Sequence, residues 1–295
     1  MYNERDRADT RRMLLILGGV VAAIVFVLVG AGLLLNASAT PSGGHSTPPP
    51  VVAKAETPPV AEAVVPAPTL AEAPVPAPVP APAPAPTGLV VCIDPGHQAH
   101  ADSSSEPIGP GASERKPKVS DGATGVATRK PESQVNLEVS LKLRDELVKR
   151  GVKVVMVRET QDVNISNSER AAIANRAGSA LFIRIHCDGI GNKTTHGLST
   201  LIPANNRWTG PILAPSTKAA GFIHPATIAA TGAADRGVVT RSDLSGFNWA
   251  TVPTILVEMG FMSNPDEDRL LSTADYQLKL AKGMADGTMQ YLQSR

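Results

Sequence analysis

The sequence is poor in aromatic residues, in cysteine and in excess charge. Aromatic side chains make up 3% of the 295 residues, and the formal net charge is only +1. A nucleic-acid-binding surface needs a basic patch, often with aromatic side chains for stacking, so this class of partner is disfavoured. Only Cys92 and Cys187 occur, which is too few for a disulfide scaffold but leaves one bond between them open.

The first part of the chain contains one long apolar run. Residues 13–35 carry no charge, and as a helix they would span about 34 Å, enough to cross a hydrocarbon layer of roughly 30 Å. Four arginines precede the run, whereas no Lys or Arg follows it before Lys54. This asymmetry predicts a cytoplasmic segment at 1–12, a single transmembrane anchor at 13–35 and an extracytoplasmic remainder. The alternative is a secreted protein whose signal peptide is cleaved near Ala39.

The segment that follows, 36–87, is dominated by proline and small residues. It holds 15 of the 26 prolines and no aromatic residue. Proline alternating with alanine or valine favours extended polyproline II geometry, and this composition cannot bury enough apolar surface to fold. We predict a disordered Pro/Ala-rich linker that acts as a semi-rigid tether between the anchor and a folded domain at 88–295.

The folded part alternates short apolar runs with helical patterns. Such alternation predicts an α/β domain with a mostly parallel sheet that is covered by helices on both faces. Ser166 followed by Glu169 is the pattern of a capping box at the start of one helix. The predicted strands are Leu89–Ile93, Val152–Val157, Leu181–His186, Leu198–Ile202 and Thr254–Val257. The predicted helices run from Pro131 to Arg150, from Ser166 to Gly178 and from Asp275 to Gln293.

Two stretches of the folded part have no clear period. Gln98–Arg129 is polar and rich in Gly, Ser and Pro, which predicts a long loop that is either functional or mobile. In residues 203–237, Pro211, Pro215 and Pro225 predict breaks, with room for a short helix at Ser216–Ile223.

Three side chains at the carboxyl ends of predicted strands have the chemistry of a hydrolytic site. His97 follows Asp94-Pro95-Gly96 after the first strand, His186 ends the third, and Glu258 follows the last. In α/β sheets, binding sites form beyond the carboxyl ends of the strands. Two histidines and a glutamate can hold a catalytic zinc ion with one position open for water. A carboxylate after a buried run is costly unless it is paired or faces a site, so Glu258 is a candidate base.

The third ligand and the neighbouring polar residues leave alternatives open. Glu132 begins a predicted helix, where an acidic residue is also favoured for structural reasons alone. His100 competes with His97, and Arg184 either binds a substrate carboxylate or forms an ion pair inside the domain. The alternative carboxylates are Glu114, Asp121 and Glu138.

Four short stretches, taken together and in this order, resemble the zinc-dependent N-acetylmuramoyl-L-alanine amidases of the amidase_3 family. The similarity extends from about Leu89 to Tyr291. The chain departs from the family pattern in Gln98, which replaces a common glycine, and in a longer loop before Glu132. The matching stretches are Asp94-Pro95-Gly96-His97, Glu132 ahead of Val135-Asn136-Leu137, a strand ending in His186, and Pro253, Leu256, Glu258, Gly260, Phe261, Ser263 and Asn264.

The resemblance implies a fold, a cofactor and an activity. It implies an α/β domain with a mixed, largely parallel sheet, Zn²⁺ held by His97, Glu132 and His186, and Glu258 as the catalytic carboxylate. The implied reaction is hydrolysis of the amide between the lactyl group of N-acetylmuramic acid and L-alanine in peptidoglycan. A related zinc carboxypeptidase that acts on peptidoglycan stem peptides is the alternative, and a non-catalytic wall-binding module or a structural anchor is a further one. The sequence leaves open whether a separate activator protein takes part.

Overall fold

The computed structural model describes residues 88–295, so the predicted segments 1–12, 13–35 and 36–87 lie outside the described residues. Within 88–295, no helix combines the length and apolarity needed to cross a membrane. The strands are β1 (Val90–Pro95), β2 (Asp102–Pro107), β3 (Arg115–Val119), β4 (Lys153–Met156), β5 (Leu181–Asp188), β6 (Leu198–Pro203), β7 (Asp235–Arg241) and β8 (Thr254–Phe261). The helices are α1 (Glu132–Lys149), α2 (Asn167–Arg176), α3 (Gly210–Thr231), α4 (Ser245–Asn248), α5 (Pro265–Leu271) and α6 (Ala274–Gln293).

Six of these strands form one mixed, largely parallel sheet in the order β4-β1-β5-β8-β6-β7. The strands β4, β1, β5 and β8 are parallel, β6 runs antiparallel to β8, and β7 is parallel to β6. The predicted sheet type is therefore confirmed. Because β1, β5 and β8 are neighbours, their carboxyl ends meet at one edge, and His186 lies opposite Glu258 in the register.

Side chains alternate between the two faces of the sheet, and each face has its own core. Ile93 and Ile183 pack with apolar residues of α1, α3 and α6 in the larger cluster. Cys92 and Phe182 belong to a second cluster with residues of α2 on the other face. Arg184 and His186 follow Phe182 by two and four residues in the same strand. Their side chains therefore project from the same face of the sheet as Phe182, the face that α2 covers. Helices cover both faces, as predicted.

The two cysteines lie on opposite faces of the sheet. Cys92 packs in the cluster with α2, whereas Cys187 packs in the cluster with α1. Both are buried free thiols, and burial raises the pKa of each. The bond that the sequence left open is therefore absent, because the sheet itself separates the two sulfur atoms.

Most predicted elements are confirmed to within a few residues. All five predicted strands are present, and β5 and β8 extend beyond their predicted ends. The capping box is formed in full, since the Ser166 side chain accepts from the Glu169 amide and the Glu169 carboxylate accepts from the Ser166 amide. The long α1 and α6 also occur where the apolar period predicts them.

The prediction that Gln98–Arg129 is one long loop was wrong, because it contains the antiparallel hairpin β2–β3. Its strands are mostly polar and lack an apolar period, so ladder pairing and contacts with α2 stabilise them instead of a buried face. Glu106 of β2 accepts hydrogen bonds from the amide and hydroxyl of Ser168. The strand β7 was not predicted for the same reason, because it is an exposed edge strand without an apolar period.

The predicted breaks at Pro215 and Pro225 were also wrong, whereas Pro211 lies in the first turn of a helix. A single helix, α3, runs from Gly210 to Thr231 with Pro215 and Pro225 inside it. An internal proline costs roughly 3 kcal/mol, so packing must offset that cost. Gly283 and Gly287 of α6 let the two helices approach closely, since a Cβ at Gly287 would lie 2.4 Å from the Ile223 Cα. This close contact depends on tertiary packing, so the helix propensity of the local sequence does not predict it.

Candidate metal centre

The loop that carries His97 is held in an uncommon backbone conformation. His97 has a φ of 58°, in the left-handed region that few residues other than glycine adopt. Two buried guanidinium groups bind the carbonyls around it: Arg170 donates to Pro95 and His97, and Arg158 donates to Pro95 and Gly96. Such a conformation persists only where the surroundings impose it. Neither arginine stood out in the sequence, since nothing there indicates a buried arginine bound to carbonyls.

Asp94 binds two guanidinium groups beneath this loop. Its carboxylate is fully buried and binds Arg170 at 2.6 Å and Arg184 at 2.9 Å. Burial acts to raise the pKa of Asp94, but the two guanidinium groups outweigh it and hold this pKa well below its usual range. Arg184 also donates to Asn167 at 2.8 Å. Of the two interpretations of Arg184, the internal ion pair is therefore the one observed.

His97, Glu132 and His186 converge at the carboxyl edge of the sheet. Glu132 Oε1 lies 3.2 Å from His97 Nε2 and 3.2 Å from His186 Nδ1. The two rings meet edge to face with centroids 4.9 Å apart, and one ligand atom from each of the three residues lies within 4.8 Å of the others. These three form the one such group of potential ligands within residues 88–295.

The alternative ligands lie elsewhere. Glu138 pairs with Lys130 at 3.0 Å on the surface of α1, outside the group. The remaining candidates are exposed residues outside the group: His100, Glu114 and Asp121.

Glu132 is held as a carboxylate by backbone and side-chain donors. Its Oε2 accepts from the amide of Ala123 at 2.8 Å, and its Oε1 accepts from the amide of Cys187 and from Asn136, both at 3.1 Å. Burial acts to raise the pKa of Glu132, but His186 and His97 outweigh it and hold this pKa well below the usual value. The side chain therefore faces the histidines as an ion, although its helix position alone would also suit an acidic residue.

The ring nitrogen of His97 that faces Glu132 requires a proton or a metal cation. His97 Nδ1 lies 2.9 Å from the carbonyl of Ser120, which can only accept, so Nδ1 donates and Nε2 faces Glu132. In the neutral ring, the lone pair of His97 Nε2 would point at Glu132 Oε1, and the two would repel each other. A proton or a metal cation between these atoms removes the repulsion. Burial acts to lower the pKa of His97, but the hydrogen bond and charge of Glu132 outweigh it and raise this pKa.

His186 is the third residue whose protonation and contacts suit a metal ion. Burial lowers the pKa of His186 to about 4, so the ring is neutral at pH 7. Its Nε2 is buried and has no hydrogen-bond partner within residues 88–295. An ionised carboxylate, imidazole nitrogens and one unsatisfied buried nitrogen are a donor set that can hold a metal ion.

Glu258 lies next to this group on the neighbouring strand. Its Oε2 is buried and has no hydrogen-bond partner within residues 88–295, and no ion pair of Glu258 is seen there. Burial, together with the charges of Glu132 and Asp188, raises the pKa of Glu258 well above its usual value. Glu258 is therefore more basic than a solvent-exposed glutamate, because its surroundings disfavour the charged form.

A pocket of about 330 Å³ connects these groups to the surface. His97, His186 and Glu258 line one part of it, and residues of β3, of the end of β7 and of the segment that follows line another wall. The sequence did not indicate that wall, because β3 and β7 were not predicted. Its residues include Lys116, Pro117, Arg241, Asp243, Leu244 and Ser245.

Comparison with known proteins agrees with this arrangement. Residues 91–290 match the sequence family described as N-acetylmuramoyl-L-alanine amidase (Amidase_3). The N-acetylmuramoyl-L-alanine amidase Rv3717 of Mycobacterium tuberculosis is 30% identical over 219 residues, covering 70% of this chain and 87% of that protein. The amidase LytC of Bacillus subtilis is 28% identical, but the match covers only 36% of its length.

Solved structures give the same result. The crystal structure of the N-acetylmuramyl-L-alanine amidase Ami1 from Mycobacterium smegmatis is 28% identical, with a TM-score of 0.64. The superposition covers 70% of this chain and 98% of that one. The family match spans more than half of the chain and includes all four stretches that carry the candidate site. The chain belongs to the Amidase_3 family of N-acetylmuramoyl-L-alanine amidases.

Proposed function

We propose that this protein is a zinc-dependent enzyme that hydrolyses the amide between the lactyl group of N-acetylmuramic acid and L-alanine in peptidoglycan. Membership of the Amidase_3 family supports the activity. The observation that carries the proposal is the convergence of His97, Glu132 and His186 beside Glu258 in one pocket.

The three converging side chains are proposed as the zinc ligands. Zinc at this position supplies a Lewis acid that polarises the scissile carbonyl and lowers the pKa of a water toward about 7. The chain keeps the ligands oriented: Ser120 accepts from His97 Nδ1, and Asn136 donates to Glu132. Such outer hydrogen bonds fix the ring orientation and the tautomer of a metal-bound histidine.

Glu258 is proposed as the residue that moves the proton. Its carboxylate would take the proton of the attacking water and deliver it to the nitrogen of L-alanine as the amide C–N bond breaks. A raised pKa suits this role, because a general acid–base group works best when its pKa is near the working pH. Glu258 lines the pocket, so its carboxylate can contact water and substrate there.

The alternative activity, a zinc carboxypeptidase, is not favoured by the family match. The products distinguish the two enzymes. An amidase releases an intact stem peptide with a free L-alanine amine, whereas a carboxypeptidase releases one terminal residue. Mass spectrometry of peptidoglycan digested by the full-length protein separates these outcomes, and release of single terminal residues alone would refute the amidase assignment.

Removal of the metal should abolish the activity and lower the stability. We expect a chelator to stop release of intact stems by the full-length protein, and added Zn²⁺ to restore it. Because the metal binds only the folded state, saturation at 100 times Kd contributes about 2.7 kcal/mol, so the melting temperature should fall by several degrees on chelation.

The control for this experiment is re-addition of Mg²⁺ at the same concentration. Magnesium prefers oxygen ligands in octahedral geometry, so it should not restore activity at a site with two imidazoles. Undiminished release of intact stems in excess chelator would contradict the metal dependence.

We propose further that the catalytic domain is tethered outside the cytoplasmic membrane. The uncharged run at 13–35, the arginines before it and the proline-rich segment 36–87 support this placement. Full-length protein should stay with membranes after an alkaline carbonate wash. Protein that is found only in the medium, with a new N-terminus after Ala39, would instead establish the cleaved, secreted form.

A further inference from the structure

One wall of the pocket, formed by β3, the end of β7 and the loop after it, carries two cations and one carboxylate. Arg241 binds Asp243 with two hydrogen bonds, Nε to Oδ1 at 2.8 Å and Nη2 to Oδ2 at 3.0 Å. Lys116 Nζ lies 3.2 Å from the same Oδ2. The three residues come from β3 and from the end of β7 and the loop after it, and all of them line the pocket. One positive charge remains in excess on this wall.

These cations remain accessible, unlike the other arginines of the pocket. Arg170 and Arg184 are 1% and 5% exposed, and both are bound to the buried Asp94. The side chains of Lys116 and Arg241 are 35% and 41% exposed. Arg241 Nη1 has no hydrogen-bond partner in the described part of the chain. The fork with Asp243 holds the guanidinium in place, so a carboxylate could bind Nη1 without further ordering of the side chain.

The substrate offers few groups that such a wall can bind. The lactyl carboxyl of the muramoyl unit is consumed in the scissile amide, so the free carboxylates belong to the stem peptide. When the second stem residue is glutamate linked through its γ-carboxyl, its α-carboxyl is either free or amidated. This group lies roughly 6–7 Å from the scissile nitrogen, because consecutive Cα atoms are about 3.8 Å apart. A pocket of about 330 Å³ is at the small end for ligand sites, with room for a short peptide.

We propose that Arg241 and Lys116 form a carboxylate subsite for the second residue of the stem peptide. The subsite directs the peptide toward β3 and β7 and makes the protein select stems with a free α-carboxylate over amidated ones. This inference rests on the proposed function, since it names the part of that substrate which is recognised.

Two matched substrates test the selection. They are N-acetylmuramoyl-L-alanyl-D-glutamate and its α-amide, each with the γ-carboxyl blocked as an N-methylamide, so that only the α-group differs. We expect the zinc-loaded full-length protein to cleave the acid with a kcat/KM about tenfold higher than the amide, mostly through KM, because a charge-assisted bond is lost in the amide.

Substitutions assign the selection to this wall. Arg241→Gln and Lys116→Gln should each reduce the preference for the acid by raising its KM, with little change for the amide. Lys118→Gln is the matched control: it removes the same charge from the same strand, but Lys118 does not line the pocket and lies 4.0 Å from Asp102. The control should keep the full preference.

Binding measurements separate this inference from the proposed function. Calorimetry with the Glu258→Gln variant compares the affinities of the two substrates without turnover. Tighter binding of the acid that disappears in Glu258→Gln/Arg241→Gln supports the subsite, even if no amide is hydrolysed by any variant. Equal affinities for the acid and the amide would overturn the subsite, and so would an Arg241→Gln effect of the same size on both substrates. Neither outcome would count against the proposed amidase activity, which digestion of whole peptidoglycan tests separately.

Discussion

Replacing Glu258 by glutamine should lower kcat about 10²- to 10⁴-fold, which is the usual contribution of a general acid–base group. Glutamine has nearly the same shape but cannot accept the proton of the attacking water. Zinc content should stay at one ion per chain, because Glu258 is not among the three converging side chains. Single-turnover release of stem peptides, followed by mass spectrometry, measures the rate, and atomic absorption measures the metal.

Glu138→Gln is the matched control for this variant. Glu138 is another carboxylate of α1, but it lies outside the pocket and is partly exposed, where it pairs with Lys130 and accepts hydrogen bonds from Gln134 and Gln277. Loss of such a pair costs about 0–1 kcal/mol, so activity and zinc content should stay near the wild-type values. If Glu258→Gln kept most of its activity, or lost zinc in proportion to activity, Glu258 would not be the proton carrier.

Replacing Gly96 by alanine should disrupt the metal centre although alanine adds only one methyl group. A Cβ at Gly96 would lie 2.3 Å from Cε1 and Nε2 of His186, a distance that no real contact allows. Either the ring of His186 or the loop that carries His97 must move. We expect zinc affinity to fall at least about tenfold and activity about 100-fold, since a 1 Å misplacement of reacting groups costs about that much.

Gly191→Ala provides the control for Gly96→Ala. Gly191 lies in the loop after β5, and a Cβ there would meet nothing within 4 Å. Zinc affinity is measured by competition with a chromophoric chelator, and circular dichroism checks that both variants are folded. Unchanged zinc affinity in a folded Gly96→Ala variant would show that the approach of His186 to Gly96 is not required for metal binding.

The strands that carry the candidate site could be predicted because they are buried on both faces. Continuous apolar runs such as Leu181–Ile183 and Ile255–Val257 have one stable solution, a central strand of a covered sheet. A polar residue directly after such a run lies at the carboxyl edge, so the juxtaposition of His186 and Glu258 follows from the pattern.

The wall with Lys116 and Arg241 could not be predicted in the same way. The strands β3 and β7 are mostly exposed and polar, so no apolar period identifies them. Whether a charged side chain is buried or exposed also depends on the residues with which it pairs. Arg184 is buried against Asp94, whereas Arg241 pairs with Asp243 and keeps an exposed side chain, and nothing in the local sequence distinguishes the two.

By itself the sequence determined the sheet type and the edge of the sheet where His97, His186 and Glu258 gather, because burial and strand direction depend on local apolar patterns. Only the family resemblance selected Glu132 among several carboxylates. Only the tertiary structure decided the separation of Cys92 from Cys187, the continuity of α3 through its prolines and the shape and charge of the pocket. These features depend on packing and ion pairing between residues far apart in the chain, which no local pattern records.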